Sequence, residues 1–222
     1  MQSSLLYDWF NPDLLPLIPL TAKRVVEVGC STGALAREYR KLNPACEYVG
    51  IELNPESAAI ATQHCHRVLS SAIEDLGDSE FAALCPADCW IFGDVIEHLV
   101  DPWGVLQRVR GGMSPESCLI TCIPNAQHWS VQVRLVTGAF RYEDAGLMDR
   151  THLRWFTRTT IIEMFDQLGL RIVNARPRIF EEPARERALS GIRAFAQSVG
   201  ANPEAAARDA TPYQWLLRAV PA

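Results

Sequence analysis

The stretch Val25-Val-Glu-Val-Gly-Cys-Ser-Thr-Gly-Ala-Leu-Ala36 decides the fold. Arg24–Val28 is a short, mostly β-branched run. From Gly33 onward, apolar or small residues fall at 34, 35, 36, 39 and 42 with charges between them, the spacing of an amphipathic helix. A strand that passes through a glycine-bearing loop into a helix opens an α/β sheet, whose ligands sit beyond the carboxyl ends of the strands. Gly29 lets the chain turn, and Gly33 lets the helix start close to ligand and sheet. Backbone N–H groups of this loop, those of Cys30 and Ser31 included, are expected to face the pocket. Glu27, at the end of the strand, is placed to meet a cationic ligand group.

Three chemistries use glycines at similar spacing. A dinucleotide fingerprint needs G-x-G-x-x-G, and here Ser31 stands at the second glycine. A hydrolase nucleophile elbow, G-x-S-x-G, is matched literally by Gly29-Cys-Ser31-Thr-Gly33, but that elbow follows several earlier strands and this one follows the first. The third is a loop around an adenosine-type cofactor. It alone gives work to both Glu27 and Glu52. Glu52 closes the next strand-like run about twenty residues on, where a carboxylate accepts ribose hydroxyls. A dinucleotide enzyme would use Glu52 in the same way, so that residue does not separate the two.

Outward from the loop, residues 47–53 read as a second strand and Pro55 as the first position of a helix through 63. Residues 67–69, 87–92 and 117–123 read as further strands, with a helix over 103–110. A helix over 158–168 stops at Gly169, and 170–180 and 213–220 read as the last two strands. Repeated strand–helix–strand units predict an α/β fold, a Rossmann-like doubly wound sheet of seven strands, mostly parallel, with helices on both faces. One domain spanning 1–222 is expected. Two segments break the alternation: 125–156, expected to shape an acceptor site or lid, and 183–208, a helical insert between the last two strands.

Composition narrows the class. With 26 acidic against 21 basic residues the net charge is −5, unsuited to a general nucleic-acid binder. No apolar run approaches a bilayer span. The first nine residues lack the basic start and apolar centre of a secretory leader, so a cytoplasmic protein is expected. The seven cysteines, at 30, 46, 65, 85, 89, 118 and 122, lack the two-residue gap of a zinc knuckle. Reduced, buried thiols and no metal are the expectation.

Further motifs give these elements a family. Val25-Val-Glu-Val-Gly-Cys-Ser-Thr-Gly33, Val49-Gly-Ile-Glu-Leu-Asn54 and Asp88-Cys-Trp-Ile-Phe-Gly-Asp-Val-Ile-Glu-His-Leu99 resemble, in order, motifs of the class I S-adenosylmethionine-dependent methyltransferases. That resemblance implies S-adenosylmethionine as cofactor and an antiparallel last strand. It also implies that Glu52 holds the ribose, that Leu53 packs on the adenine, and that Asp94, beside Val95, faces the methionine part. Ser70-Ser-Ala-Ile73 stands where the family contacts the adenine amino group, often through an Asp; here that position is Ser71 or Ala72, so the contact is expected from backbone, with Ala72 and Ile73 at the cofactor. Pro124-Asn125 and Asp149-Arg-Thr-His152-Leu-Arg154-Trp-Phe-Thr157 are similar to a bacterial branch often encoded near glycosyltransferases and natural-product genes. It implies O- or N-methylation of a small-molecule or sugar-containing acceptor.

In-line methyl transfer needs the acceptor held opposite the sulfur, and an oxygen acceptor gains from a base. His98, four residues past Asp94, and His152 are the candidate bases. Asn125, His128, Trp129, Tyr142 and Asp149 are candidate acceptor contacts, with 127–142 expected to form an amphipathic lid helix. The expected assembly is a monomer or homodimer. A non-catalytic binding module on the same fold, a serine hydrolase through Ser31 and a nicotinamide oxidoreductase are the competing readings.

Overall fold

The structure, a computed structural model, describes residues 8–222, so most of the N-terminal stretch read for a leader lies outside the described residues. Seven strands form one sheet, in the order β3-β2-β1-β4-β5-β7-β6. They are β1 Arg24–Val28, β2 Glu47–Ile51, β3 Arg67–Leu69, β4 Cys89–Gly93, β5 Cys118–Pro124, β6 Leu170–Arg178 and β7 Gln214–Pro221. The first five are parallel, and β7 runs antiparallel to both of its neighbours. The antiparallel strand is thus an insertion between β5 and β6. An NAD-type Rossmann sheet is parallel throughout in the order 3-2-1-4-5-6, so this sheet differs from it at one strand.

The helices are α1 Ala34–Leu42, α2 Pro55–Ala61, α3 Asp78–Ala82, α4 Pro102–Gly111, α5 Trp129–Val136, α6 Arg158–Gln167, α7 Arg185–Ser198 and α8 Pro203–Ala210. Several are started by side chains: Asn54 caps α2, Asp101 caps α4 and Thr157 caps α6, each accepting backbone N–H groups the helix leaves unpaired. Alternation along the strands feeds two core layers. Val26, Val28, Trp90, Phe92 and Leu119 pack with α4 and α6 on one face. Val25, Tyr48, Ile91 and Ile120 pack with α1 and α2 on the other. Six of the seven cysteines lie in this second layer, all reduced, where they act as small apolar groups.

Glu27 shares the parity of Val25, so a carboxylate is built into that second apolar face. The sheet order reverses between β1 and β4, and the crevice beyond their carboxyl ends is where a ligand can be received. Among the described residues, no helix is long and apolar enough to cross a membrane.

Candidate functional site

Three cavities line up along that crevice. One of about 440 Å³ lies over the loop after β1, walled by Glu27, Gly29, Cys30, Ser31, Asp94 and the segment Trp9–Leu14. One of about 270 Å³ lies over the end of β2, walled by Glu52, Leu53, Ala72, Ile73 and Val95. The third, also about 440 Å³, lies over the ends of β5, β6 and β7, walled by Glu97, Asp149, His152, Arg178, Phe180 and Tyr213. Asp94 and His98 are the two residues that line all three. An apolar groove of about 490 Å³ between α6 and the β6–β7 edge shares no residue with them.

The loop itself differs from expectation in an informative way. The N–H groups of Gly29 and Cys30 donate to the Ile51 carbonyl at 2.8 and 3.2 Å, and that of Gly33 to the Cys30 carbonyl at 2.8 Å. The Ser31 N–H donates to Glu52 Oε2 at 2.8 Å. Amides expected to face a ligand are therefore taken up within the protein. A pyrophosphate cradle needs those amides free. The walls around this loop instead carry carboxylates, Glu27, Glu52 and Asp94, which suit a cationic ligand. Gly33 (φ +79°) lines none of the cavities; a Cβ there would meet Ala61 and His64 at 3.2 Å, so its glycine serves packing against α2.

Glu52 is held from both sides. Its Oε1 accepts the Asn54 N–H at 2.8 Å while Oε2 accepts that of Ser31. Each oxygen keeps a lone pair for a hydroxyl donor in the cavity. Among the described residues, Ser31 and Asp94 are the two non-glycine residues with positive φ, +48° and +56°. Strain of this kind gathers at functional sites.

Glu27 is 7 % exposed, and the Tyr48 hydroxyl donates to its Oε2 at 2.9 Å. Burial pushes its carboxyl from an ordinary 4.5 up to about 8, the Tyr48 hydrogen bond opposes this, and the nearby Glu52 charge adds to it. A carboxyl raised in the folded state stabilises the fold fully below its ordinary value, and that contribution is lost as pH rises to about 8. Without ligand, stability is expected to fall between these limits by on the order of 1 kcal/mol per pH unit. Glu27→Gln should flatten that slope in thermal melts across the range. A cationic ligand favours the ionised form, so its affinity should rise with pH over the same window.

At the junction, two motifs about fifty residues apart are stitched together. The 3-10 turn Ile96–His98 follows β4, and the Glu97 carbonyl accepts the N–H groups of Leu153 and Arg154 at 2.8 and 3.0 Å. The Thr151 hydroxyl donates to Asp149 Oδ1 at 2.6 Å. Its oxygen, like the Thr151 carbonyl, lies 3.1 Å from His98 Nδ1. Both are acceptors there, so Nδ1 carries the ring proton and Nε2 is left with its lone pair. The His98 and His152 rings meet edge-on with centroids 4.8 Å apart. Burial, then the neighbouring His98, lowers the His152 pKa. Burial also raises Asp94 and pushes Glu97 well above the usual carboxylate range.

Of the expected acceptor contacts, Asp149 lines the cavities; the other four do not. Asn125 is fully buried, donating to the carbonyls of Asp209 and Pro212 at 2.8 and 2.7 Å and accepting the Gln127 N–H at 3.0 Å. It fastens the end of β5 to the end of α8. Asn125→Ala strands two carbonyls and one N–H, a loss of about 2–4 kcal/mol that urea unfolding should register. His128 caps α5, is 3 % exposed, and is pushed down to about 4 by burial. Trp129 packs with Leu189, Ala207 and Ala210 of α7 and α8. Tyr142 is exposed. The segment 127–142 is thus no lid helix: α5 packs inward through Trp129 and Val131, and the turn 144–149 borders the cavities instead. The sequence reading missed Arg178, Phe180, Tyr213 and Gln214, which come together only through the antiparallel pairing of β6 and β7, and Trp9, which the segment before β1 brings to the same cavity. Gln214 donates to Asp94, and Arg178 stacks between Trp9 and Phe180.

Comparison with known proteins agrees with this geometry. A family profile described as "Methyltransferase domain" matches residues 8–175. The chain is 23 % identical over 187 residues to ubiquinone biosynthesis O-methyltransferases of Cereibacter sphaeroides, covering 82 % of this chain and 73 % of theirs. A possible histamine N-methyltransferase from Thermotoga maritima shares the fold with TM-score 0.61 at 14 % identity, covering 95 % of this chain and 86 % of its own. Magnesium protoporphyrin IX methyltransferase from Synechocystis, solved with S-adenosylhomocysteine, does so with TM-score 0.60 at 13 % identity over 94 % and 78 %. With the profile spanning most of the chain over an acid-walled loop on this seven-stranded sheet, the chain belongs to the methyltransferase-domain family, as a class I S-adenosylmethionine-dependent methyltransferase.

Proposed function

We propose that this enzyme transfers the methyl group of S-adenosylmethionine to a hydroxyl oxygen on a ring-bearing small molecule, phenolic or sugar-like. The observation that carries this reading is the junction: Asp94 and His98 line the two loop-side cavities and the third one alike. The loop-side cavities fit the cofactor. Glu52 would hold the ribose, Ala72 and Ile73 would border the adenine with Leu53, and Glu27 and Asp94 would face the cationic methionine end. When bound, the cofactor supplies a methyl carbon already activated by its sulfonium.

The chain's own part is then placement and proton handling. The third cavity has aromatic walls from Trp9, Phe180 and Tyr213, suited to a flat or ring-shaped acceptor, and its size is that of a drug-sized ligand. His98 Nε2 takes the hydroxyl proton as the new O–C bond forms, with Thr151 and Asp149 holding the ring in the needed tautomer. The Cereibacter relatives, named as ubiquinone biosynthesis O-methyltransferases, support an oxygen acceptor.

The test is transfer of labelled methyl from S-adenosylmethionine to parallel panels of phenols, sugars and nucleotide sugars, alongside thermal shifts with S-adenosylhomocysteine. Stabilisation by S-adenosylhomocysteine and label on a hydroxyl oxygen of one panel are the expected results. Stabilisation with label on amines alone would overturn the choice of oxygen. Absence of any stabilisation would overturn the cofactor site.

A further inference from the structure

Among the described residues, Arg178 is the one arginine or lysine that lines the third cavity. Its guanidinium is fixed in place. The Trp9 and Phe180 rings flank it, with centroids 5.7 and 5.1 Å away. Nη1 donates to Gln214 Oε1 at 3.0 Å, and the Asp13 carboxylate stands 3.6 Å from Nε. Nη2 has no acceptor among the described residues and is not sealed from solvent. A cation flanked by rings and pinned at one nitrogen has already lost its side-chain freedom. A partner for its remaining N–H groups therefore binds without that ordering cost.

The other charges of the cavity say what that partner is. Asp94 and Asp149 are engaged, by Gln214 and by Thr151. Glu97 is 1 % exposed, and neither of its oxygens has a hydrogen-bond partner among the described residues. Burial favours its neutral form, as it favours the neutral ring of His152. Arg178 is thus the one permanent positive charge on these walls.

We propose that Arg178 anchors an acceptor that carries a carboxylate on its ring or ring substituent, the carboxylate taking the open N–H groups of the guanidinium. This rests on the third cavity being the acceptor site. A planar carboxylate matches the guanidinium fork. Its single charge is balanced by Arg178, whereas the second charge of a phosphate would face Asp94 and Asp149 with no further permanent cation on the walls. Gln214 ties the anchor to the chemistry. It is the register partner of Arg178 across β6 and β7, and it reaches from Arg178 on Oε1 to Asp94 on Nε2. Asp94 lines the two loop-side cavities as well. The charged end of the acceptor is thereby fixed relative to the methyl donor, as in-line transfer requires.

The experiment is titration calorimetry of the full chain, loaded with S-adenosylhomocysteine, using 4-hydroxyphenylacetate, its methyl ester and 4-hydroxyphenyl phosphate. The acid is expected to bind at least about tenfold more tightly than the ester, the size of one charge-assisted hydrogen bond. Arg178→Gln should bind the acid about 10- to 100-fold more weakly and the ester nearly as the parent does. Arg178→Lys, charged but without the fork, should fall between. Arg171→Gln, at the other end of β6 and outside the cavity, should keep the parent's preference. Acid and ester bound within about threefold of each other by the parent, or neither bound at millimolar concentration, would overturn the anchor. An equal loss of both in Arg178→Gln would overturn it too and leave Arg178 a packing residue. Tighter binding of the phosphate would overturn the choice of carboxylate. A preference for the acid with no label reaching any hydroxyl would leave the anchor standing and count against the proposed reaction alone.

Discussion

Glu52→Ala is expected to weaken S-adenosylhomocysteine binding by about 100-fold or more, close to 3 kcal/mol. The size follows from two losses. The two charge-assisted hydrogen bonds that the proposed role gives Glu52 to the ribose would disappear, worth about 1.5–3 kcal/mol each when the donor is well placed. The N–H groups of Ser31 and Asn54 lose their acceptor at the same time, so the loop and the entry to α2 are no longer tied to each other. Glu52→Gln keeps one acceptor oxygen but turns an NH₂ toward one of those N–H groups, and an intermediate loss is expected. Titration calorimetry reads both. Because the Glu52 charge helps to raise Glu27, the Ala variant should also lower the pH at which ligand-free stability is lost. Binding within threefold of the parent would remove Glu52 from the cofactor site.

That Glu52 could be found without coordinates reflects how a parallel sheet is written. Strands buried on both faces are short apolar runs, and their ends are marked by the first polar residue. Glu27, Glu52 and Asp94 each stand at such an end, and the sheet brings ends of neighbouring strands side by side. Periodicity does not state which strands pair. The insertion of β7 between β5 and β6 leaves no trace in the alternation of either strand, and the family resemblance implied only its direction. Short elements were missed for a related reason: α3 and the 3-10 turns span five residues or fewer, too few to show a period.

The acceptor side was less legible because it is assembled from distant ends. Arg178 closes β6 and Gln214 opens β7, and they are adjacent only because those strands run antiparallel in register. Once that register is known, Phe180 and Tyr213 follow. The segment 127–142 shows a different limit. Its apolar edge at Trp129 and Val131 is real, but amphipathicity says which face is buried and not what buries it. Here α7, α8 and the 147–148 turn cover that face, leaving Val136 88 % exposed. Glu97 was visible in the quoted motif, yet nothing in its neighbours along the chain marks it as unpartnered.

Gly29→Ala should be the most damaging small substitution in the loop, lowering unfolding free energy by about 3 kcal/mol. The backbone there has φ +69°, where a Cβ costs about 1–2 kcal/mol. The added Cβ would also stand 2.5 Å from Val95 Cγ2, and overpacking of that kind costs about 1–3 kcal/mol. Val95 has little room to give, because it follows directly on Asp94, whose own φ is +56° and whose side chain is bonded to Gln214. Movement there would reach the junction of the three cavities, so cofactor affinity should fall with stability. Ser31→Gly is the matching control. Ser31 already sits at φ +48° where the family pattern carries glycine, and its backbone bond to Glu52 survives the change. Relief of about 1–2 kcal/mol of strain is set against the roughly 0.5–1 kcal/mol that glycine's chain entropy costs, so stability should hold or rise slightly. Urea melts paired with S-adenosylhomocysteine titration check both. A Gly29→Ala protein as stable as the parent would mean that β4 and its exit turn yield freely, and that the loop is not clamped where the structure places it.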